Sequence, residues 1–138
     1  MSEFSNFAED KIINVWLRVE ATYKPAAIYI GLWTATLTDA STGVTAGEVS
    51  GGAYARVQMT QADATWDATV GGDGHTQNTA AITFPTATAN WGTITDVAVL
   101  DAATGGNILF YSPLDASRVV NNGDTFRFNA GALDITIA

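Results

Sequence analysis

Cysteine is missing from this chain altogether. That excludes a disulfide framework and a thiolate metal site. Basic residues are scarce: 6 Lys and Arg stand against 14 Asp and Glu, for a formal net charge of −8. Lys11, Arg18 and Lys24 lie near the N-terminus, while Arg56, Arg118 and Arg127 are scattered. No basic patch answers a phosphate backbone, so no nucleic-acid partner is expected. Histidine occurs once, at His75, which rules out a histidine metal cluster. No run approaches the roughly 18 apolar residues that a membrane helix requires, and no membrane partner is expected. The opening MSEFSNFAEDKIINVW lacks a basic region ahead of a long apolar run. It does not read as a secretory signal, and synthesis in a cytosol is expected.

What is present is apolar and weakly ionic. Hydrophobic residues make up 47% of the 138 positions and charged ones only 14%, enough for one domain with a real core. Threonine, alanine and glycine stand where lysine and glutamate are common on other surfaces. That composition suits strands, and it suits a protein that hides surface against neighbours.

The first segment has its own period. Phe4, Phe7, Ala8, Ile12, Val15, Trp16 and Val19 recur at helical spacing, with Ser5, Glu9, Asp10 and Arg18 between them. Asn6 with Glu9 resembles a capping box, and Ser2 or Ser5 offers another cap. One amphipathic helix is predicted over residues 5–19, ended by the approach to Pro25. Such a helix either lies on the core of its own domain or packs as an arm on another subunit. Phe4, Phe7, Ile12 and Trp16 are the candidate anchors. The division expected is an N-terminal helix or arm over 1–24 and a β-domain over 25–138.

After Pro25 the period becomes two. AAIYIGLWT (26–34) sets Ile28, Ile30 and Leu32 against Tyr29 and Trp33, and AYARVQMT (53–60) alternates likewise. NTAAITF, ITDVAVL, NILFYS, SRVV, DTFRFNA and ALDITIA follow. The fold class predicted is mainly β: an antiparallel β-sandwich or jelly-roll-like domain of about eight short strands after the helix. ITDVAVL and NILFY are apolar on both faces and should be central or buried at an interface. NNGD (121–124) is the best hairpin signal. TDASTG (38–43) and LDAATGG (100–106) repeat one turn device, in which Asp caps N–H groups ahead of it and Gly takes the left-handed position. QADATWDATVGGDGHTQN (61–78) is the least regular stretch and the first candidate for a contact loop.

EVSGGAYAR (48–56) decides whether to look for phosphate chemistry. A Walker loop needs Lys and Ser or Thr after its last Gly, then a helix; here Ala53 and Tyr54 follow, and a strand pattern. A dinucleotide fingerprint fails for the same reason. The glycines read as a bulge or tight entry into a strand. Tyr54 and Arg56 share a face and, with Trp66, are candidates for contacts.

Other chemistry is thinly supported. His75 in GGDGHTQN reads as a solvated loop residue rather than a catalytic base. Asp73, Asp101, Asp115 and Asp124 sit in turns where oxygen ligands would suit Ca²⁺, yet turn aspartates generally cap backbone N–H groups. Asp63 and Asp67 carry no specific glycosidase spacing. Trp33, Trp66 and Trp91 could stack on sugars, but most tryptophans in a sandwich this size belong to the core or an interface. No cofactor and no catalytic or metal residue is assigned.

EVSGGAYAR, ITFPTATANWGTITDVAVLDAATGG and NNGDTFRF, in that order after a short helix, carry a likeness. From Tyr23 onward the chain resembles a family of small tailed-phage virion proteins labelled tail fibre proteins, similar to capsid decoration or cement proteins. The resemblance implies no enzyme. It implies a virion structural protein made in the bacterial host cytoplasm: a decoration or cement protein that binds the shell as a homo-oligomer, a trimer, its partners being itself and the major capsid protein or other virion proteins. A tail-associated fibre or receptor-binding module is the alternative. A carbohydrate-binding or hydrolytic domain using His75 is the alternative of another class. A long fibre shaft would show heptads or repeats, and none are present.

Overall fold

The computed structural model describes residues 2–72 and 74–137. Nine strands and one helix follow in chain order. They are β1 (Glu3–Phe4), α1 (Asn6–Leu17), β2 (Ile28–Trp33), β3 (Val57–Met59), β4 (His75–Gln77), β5 (Ile82–Thr83), β6 (Gly92–Leu100), β7 (Ile108–Val120), β8 (Arg127–Phe128) and β9 (Asp134–Thr136). One five-stranded sheet runs β1-β7-β6-β2-β3, with two ribbons, β4-β9 and β5-β8. Every pairing is antiparallel. The mainly β class with one N-terminal helix holds.

The doubly apolar sequence of β6 explains its central place between β7 and β2. Alternate residues feed two clusters. Ile30, Leu32, Val97 and Val99 point into the larger one, where Ile82, Phe84, Phe126, Phe128, Leu133 and Ile135 arrive from the ribbons and loops. The ribbons thus share one core with this face of the main sheet. Trp33, Ala98, Leu100, Ile108 and Tyr111 leave from the opposite face and are closed over by Leu37. Each fully buried aliphatic or aromatic side chain here contributes about 1.5–3 kcal/mol.

Three departures from the predicted elements have physical causes. NILFYS and SRVV form a single strand, β7, because a register break lets residues 114–117 stand opposite Thr95 between the Asp96↔Pro113 and Ile94↔Arg118 pairs. NNGD turns as predicted, with Asp124 N donating to Asn121 O at 3.0 Å and Gly123 at φ 92°. It makes no hairpin, however, since β8 pairs with β5 rather than with β7. Turn chemistry is local, whereas the pairing partner is chosen by burial of Phe126 and Phe128. The irregular 61–78 stretch holds β4, whose Gln77 amide donates to Asp67 Oδ2 at 2.7 Å. Its tip exposes Val70, and Asp73 lies outside the described residues.

The N-terminal segment is stitched to the body at both ends. Glu3 and Phe4 pair with Tyr111 and Phe110, so the chain begins as an edge strand of the main sheet. Ser5 is wholly buried; its hydroxyl donates to Ile108 O and accepts from Ala8 N, capping α1. The helix stops at Leu17, two residues short of the sequence expectation, where Arg18 turns extended. Beyond it, Tyr23 donates to Asp101 Oδ2 at 2.7 Å and meets the Phe7 ring edge-on.

Candidate functional site

The EVSGGAYAR stretch folds into a clamp. Gly51, Gly52 and Ala53 take φ of 73°, 54° and 63°, a left-handed turn closed by Tyr54 N to Gly51 O at 2.9 Å. Only glycine adopts that region at little cost, which is why two stand together. Trp91 fastens the turn, its indole N–H donating to Gly52 O at 2.9 Å. The turn aims Tyr54 and Arg56 back at Glu48. Glu48 Oε1 accepts from Tyr54 OH at 3.1 Å and from Arg56 Nε at 2.6 Å, and its Oε2 from Arg56 Nη2 at 2.8 Å. Burial, with the Glu48 carboxylate beside it, holds the Tyr54 phenol well above its usual range.

The other Arg56 donors reach the repeated turn device. Nη2 donates to Gly43 O at 2.9 Å, and Nη1 to Ala102 O and Gly105 O, both at 2.8 Å. TDASTG and LDAATGG thus lie side by side, joined also by Gly43 N to Gly106 O at 3.0 Å. A Cβ on Gly43 would stand 1.8 Å from Gly105 O, so only glycine permits the approach. Asp101 caps its turn as expected, accepting from Asn107 N at 2.7 Å, from Asn107 Nδ2 at 2.8 Å and from Tyr23 OH. Burial opposes its charge, but those bonds prevail and hold its carboxyl below the usual range. In the first turn Ser41 does the capping, its Oγ accepting from Thr38 N at 3.0 Å. All five guanidinium donors of Arg56 are engaged inside the chain, with the Trp33 ring 5.8 Å away. This arrangement is structural: it offers no open phosphate cradle.

The remaining candidates are dispersed. Trp33 and Trp91 are core residues, and Trp66 is half-buried against the larger cluster. His75 Nε2 sits 3.0 Å from Asp134 Oδ2 on the β4–β9 ribbon. Asp124 caps Asn121 N at 2.8 Å, and Asp63 is exposed. Among the described residues no group of three or more His, Cys, Asp or Glu gathers to hold a metal ion. Asn78, only 1% exposed, was not among the sequence candidates; its side chain donates to Ala80 O and Asn129 O and accepts from Leu133 N, binding the ribbons together. No local pattern marks it.

What reaches solvent is the helix. The predicted anchors do not share a face: Phe4 stacks near Phe110, Phe7 meets Tyr23, and Ile12 is half-buried. Trp16, by contrast, is 78% exposed, beside Ile13 at 53% and Leu17 at 80%. Asn6, Glu9 and Asp10 complete the same outward stripe one and two turns earlier.

A profile of the podophage GP4 fiber I protein gp80 family matches residues 3–136. The chain belongs to this family. The match spans the edge strand, the helix and the whole β-domain, so the fibre-family likeness extends to the segment before Tyr23 as well. The protein is therefore a phage virion structural protein. Among curated proteins, none matches the chain. No helix among the described residues is long and apolar enough to cross a membrane.

Proposed function

We propose that the protein is a fibre subunit of a podophage-type particle, acting by protein–protein contact through the outward stripe of α1. The observation that carries this is the exposure of Ile13, Trp16 and Leu17 on a helix whose root is locked into the main sheet. Three large apolar side chains at i, i+3 and i+4 in water are an interaction surface, because burying them is worth several kcal/mol. The family description supports a fibre over a shell cement. A capsid decoration role rests on the same stripe and on the thin surface charge. In either role the protein acts as an assembly of identical copies, a trimer being the simplest ring.

Immunogold labelling of intact particles separates the two placements. Label confined to the tail supports the fibre reading. Label spread over the head replaces it with decoration. Deleting the N-terminal segment is a poorer test, since it would also uncover Phe110 and the β7 edge.

A further inference from the structure

The outward stripe of α1 has a second property besides its apolar end. Its first two turns carry Glu9 and Asp10, and its last two carry Ile13, Trp16 and Leu17, followed by Arg18. A partner must therefore offer cations at one end of a slot and apolar wall at the other. This chain contains a groove lined by both kinds of group. Where β7 breaks register, it leaves an open groove of about 570 Å³ between β7, β8 and β9. Leu114, Phe126 and Leu133 contribute apolar wall, and Arg118 and Arg127 stand on its rim. Neither arginine has a carboxylate partner among the described residues; Arg127 leans only on Asn129 Oδ1. Of the groove carboxylates, Asp134 is engaged by His75 and Thr136, and Asp115 is exposed beside the arginines.

We propose that α1 of one copy seats in the β7–β8–β9 groove of the next, with Glu9 and Asp10 on Arg118 and Arg127 and Trp16 and Leu17 on the apolar wall. This deepens the proposed function, since it rests on the helix stripe being an interface and names a second copy as its occupant. The helix cannot serve its own groove. Its root is tied to Asp39 O through Asn6 N, beside Leu37 on the Trp33–Tyr111 side, whereas Val97, Phe126, Phe128 and Leu133 wall the groove from the opposite cluster. The contact is head-to-tail, so copies close into a ring if the rotation allows and otherwise run on as a filament. Complementary charge is needed because copies of net charge −8 repel one another at long range.

Sedimentation velocity of the full chain tests this with two variants, Trp16→Ala/Leu17→Ala and Arg118→Glu/Arg127→Glu. Wild type self-associates, and each variant alone weakens association at least about 30-fold, as loss of a hot spot does. Mixed in equal amounts, the variants form heterodimers and nothing larger, because the pair holds one intact helix and one intact groove. Circular dichroism melts must stay near wild type. A wild-type monomer, an assembly that survives either variant, or a mixture that stays monomeric overturns the proposal. A second measurement exploits the cysteine-free chain: Leu17→Cys with Ala132→Cys should yield disulfide-linked multimers on mild oxidation, and monomer alone overturns it. Particle labelling is independent of these results. A monomeric protein found on the tail would sink the helix-in-groove contact and leave the fibre assignment standing.

Discussion

Arg56 grips both carboxylate oxygens of Glu48, at 2.6 and 2.8 Å, from a position in which its own side chain is 2% exposed. The pair is the hub on which two distant turns and one strained turn converge. Replacing Arg56 with Ala leaves three backbone carbonyls without a donor and the partly buried Glu48 carboxylate with Tyr54 OH alone. The expected loss is about 3–5 kcal/mol in urea denaturation. Arg56→Lys should recover little of it, since an ammonium cannot fork to Glu48 and reach both turns. An Arg56→Ala protein within about 1 kcal/mol of wild type would contradict the clamp.

The left-handed turn gives an ordered series. Gly51→Ala meets nothing within 4 Å but still carries the positive-φ penalty, about 1–2 kcal/mol. Gly52→Ala should cost more, because its Cβ would also stand 3.0 Å from Trp91 Nε1 and 3.1 Å from Ala89. Ala53→Gly should be neutral or stabilise by up to about 1 kcal/mol, relief of strain being set against a freer unfolded chain. Equal melting temperatures for the three would refute a left-handed turn here.

Asn78 predicts its own signature. Asn78→Ala leaves the buried Leu133 N without its acceptor and Ala80 O without its donor, while Asn129 O keeps its bond from Ala132 N at 3.1 Å; the cost is about 2–3 kcal/mol. The ribbons should loosen before the main sheet. Hydrogen exchange would then quicken at Thr76 and Ile135 while Val97 and Val99 stay protected, and uniform acceleration would count against the hub.

Two pH limits follow from the same geometry. Asp101 has a folded pKa below its ordinary 3.8, so its contribution is present above that value and is lost as pH falls through the lower one. Burial, and then Glu3, pushes Tyr111 up to about 12 from 10.0. A raised pKa favours the neutral phenol, so stability is intact below 10.0 and declines as pH rises toward 12. Melts from pH 9 to 12 on wild type and Tyr111→Phe should show a shallower decline in the variant. Parallel curves would mean that Tyr111 is not the cause.

Legibility in the sequence varied with the range of the force involved. ITDVAVL announced a central strand because both its faces are apolar, and β6 is buried on both. The glycine pair before Ala53 announced special backbone, and the left-handed turn supplies it. The helix was visible, but IINVWL is apolar nearly all round, so periodicity could not say that Ile12 turns inward while Ile13, Trp16 and Leu17 face water. Arg56 read as a contact residue because nothing local reveals that Gly43, Ala102 and Gly105 present their carbonyls to it. Asn78 gave no sign at all, since its partners are 2, 51 and 55 residues away in the chain.

The amino-acid order alone determined what depends on neighbouring residues: an all-antiparallel β-rich class, one capped helix, the turn at Asn121 and the lack of any cysteine or histidine cluster. Tertiary structure decided which turns meet, which strand NNGD delivers its chain to, and which side of the helix is left in water. Those outcomes depend on how large side chains share a limited interior. The clamp, the groove and the outward stripe each came into being only when segments far apart in the chain closed around the same core.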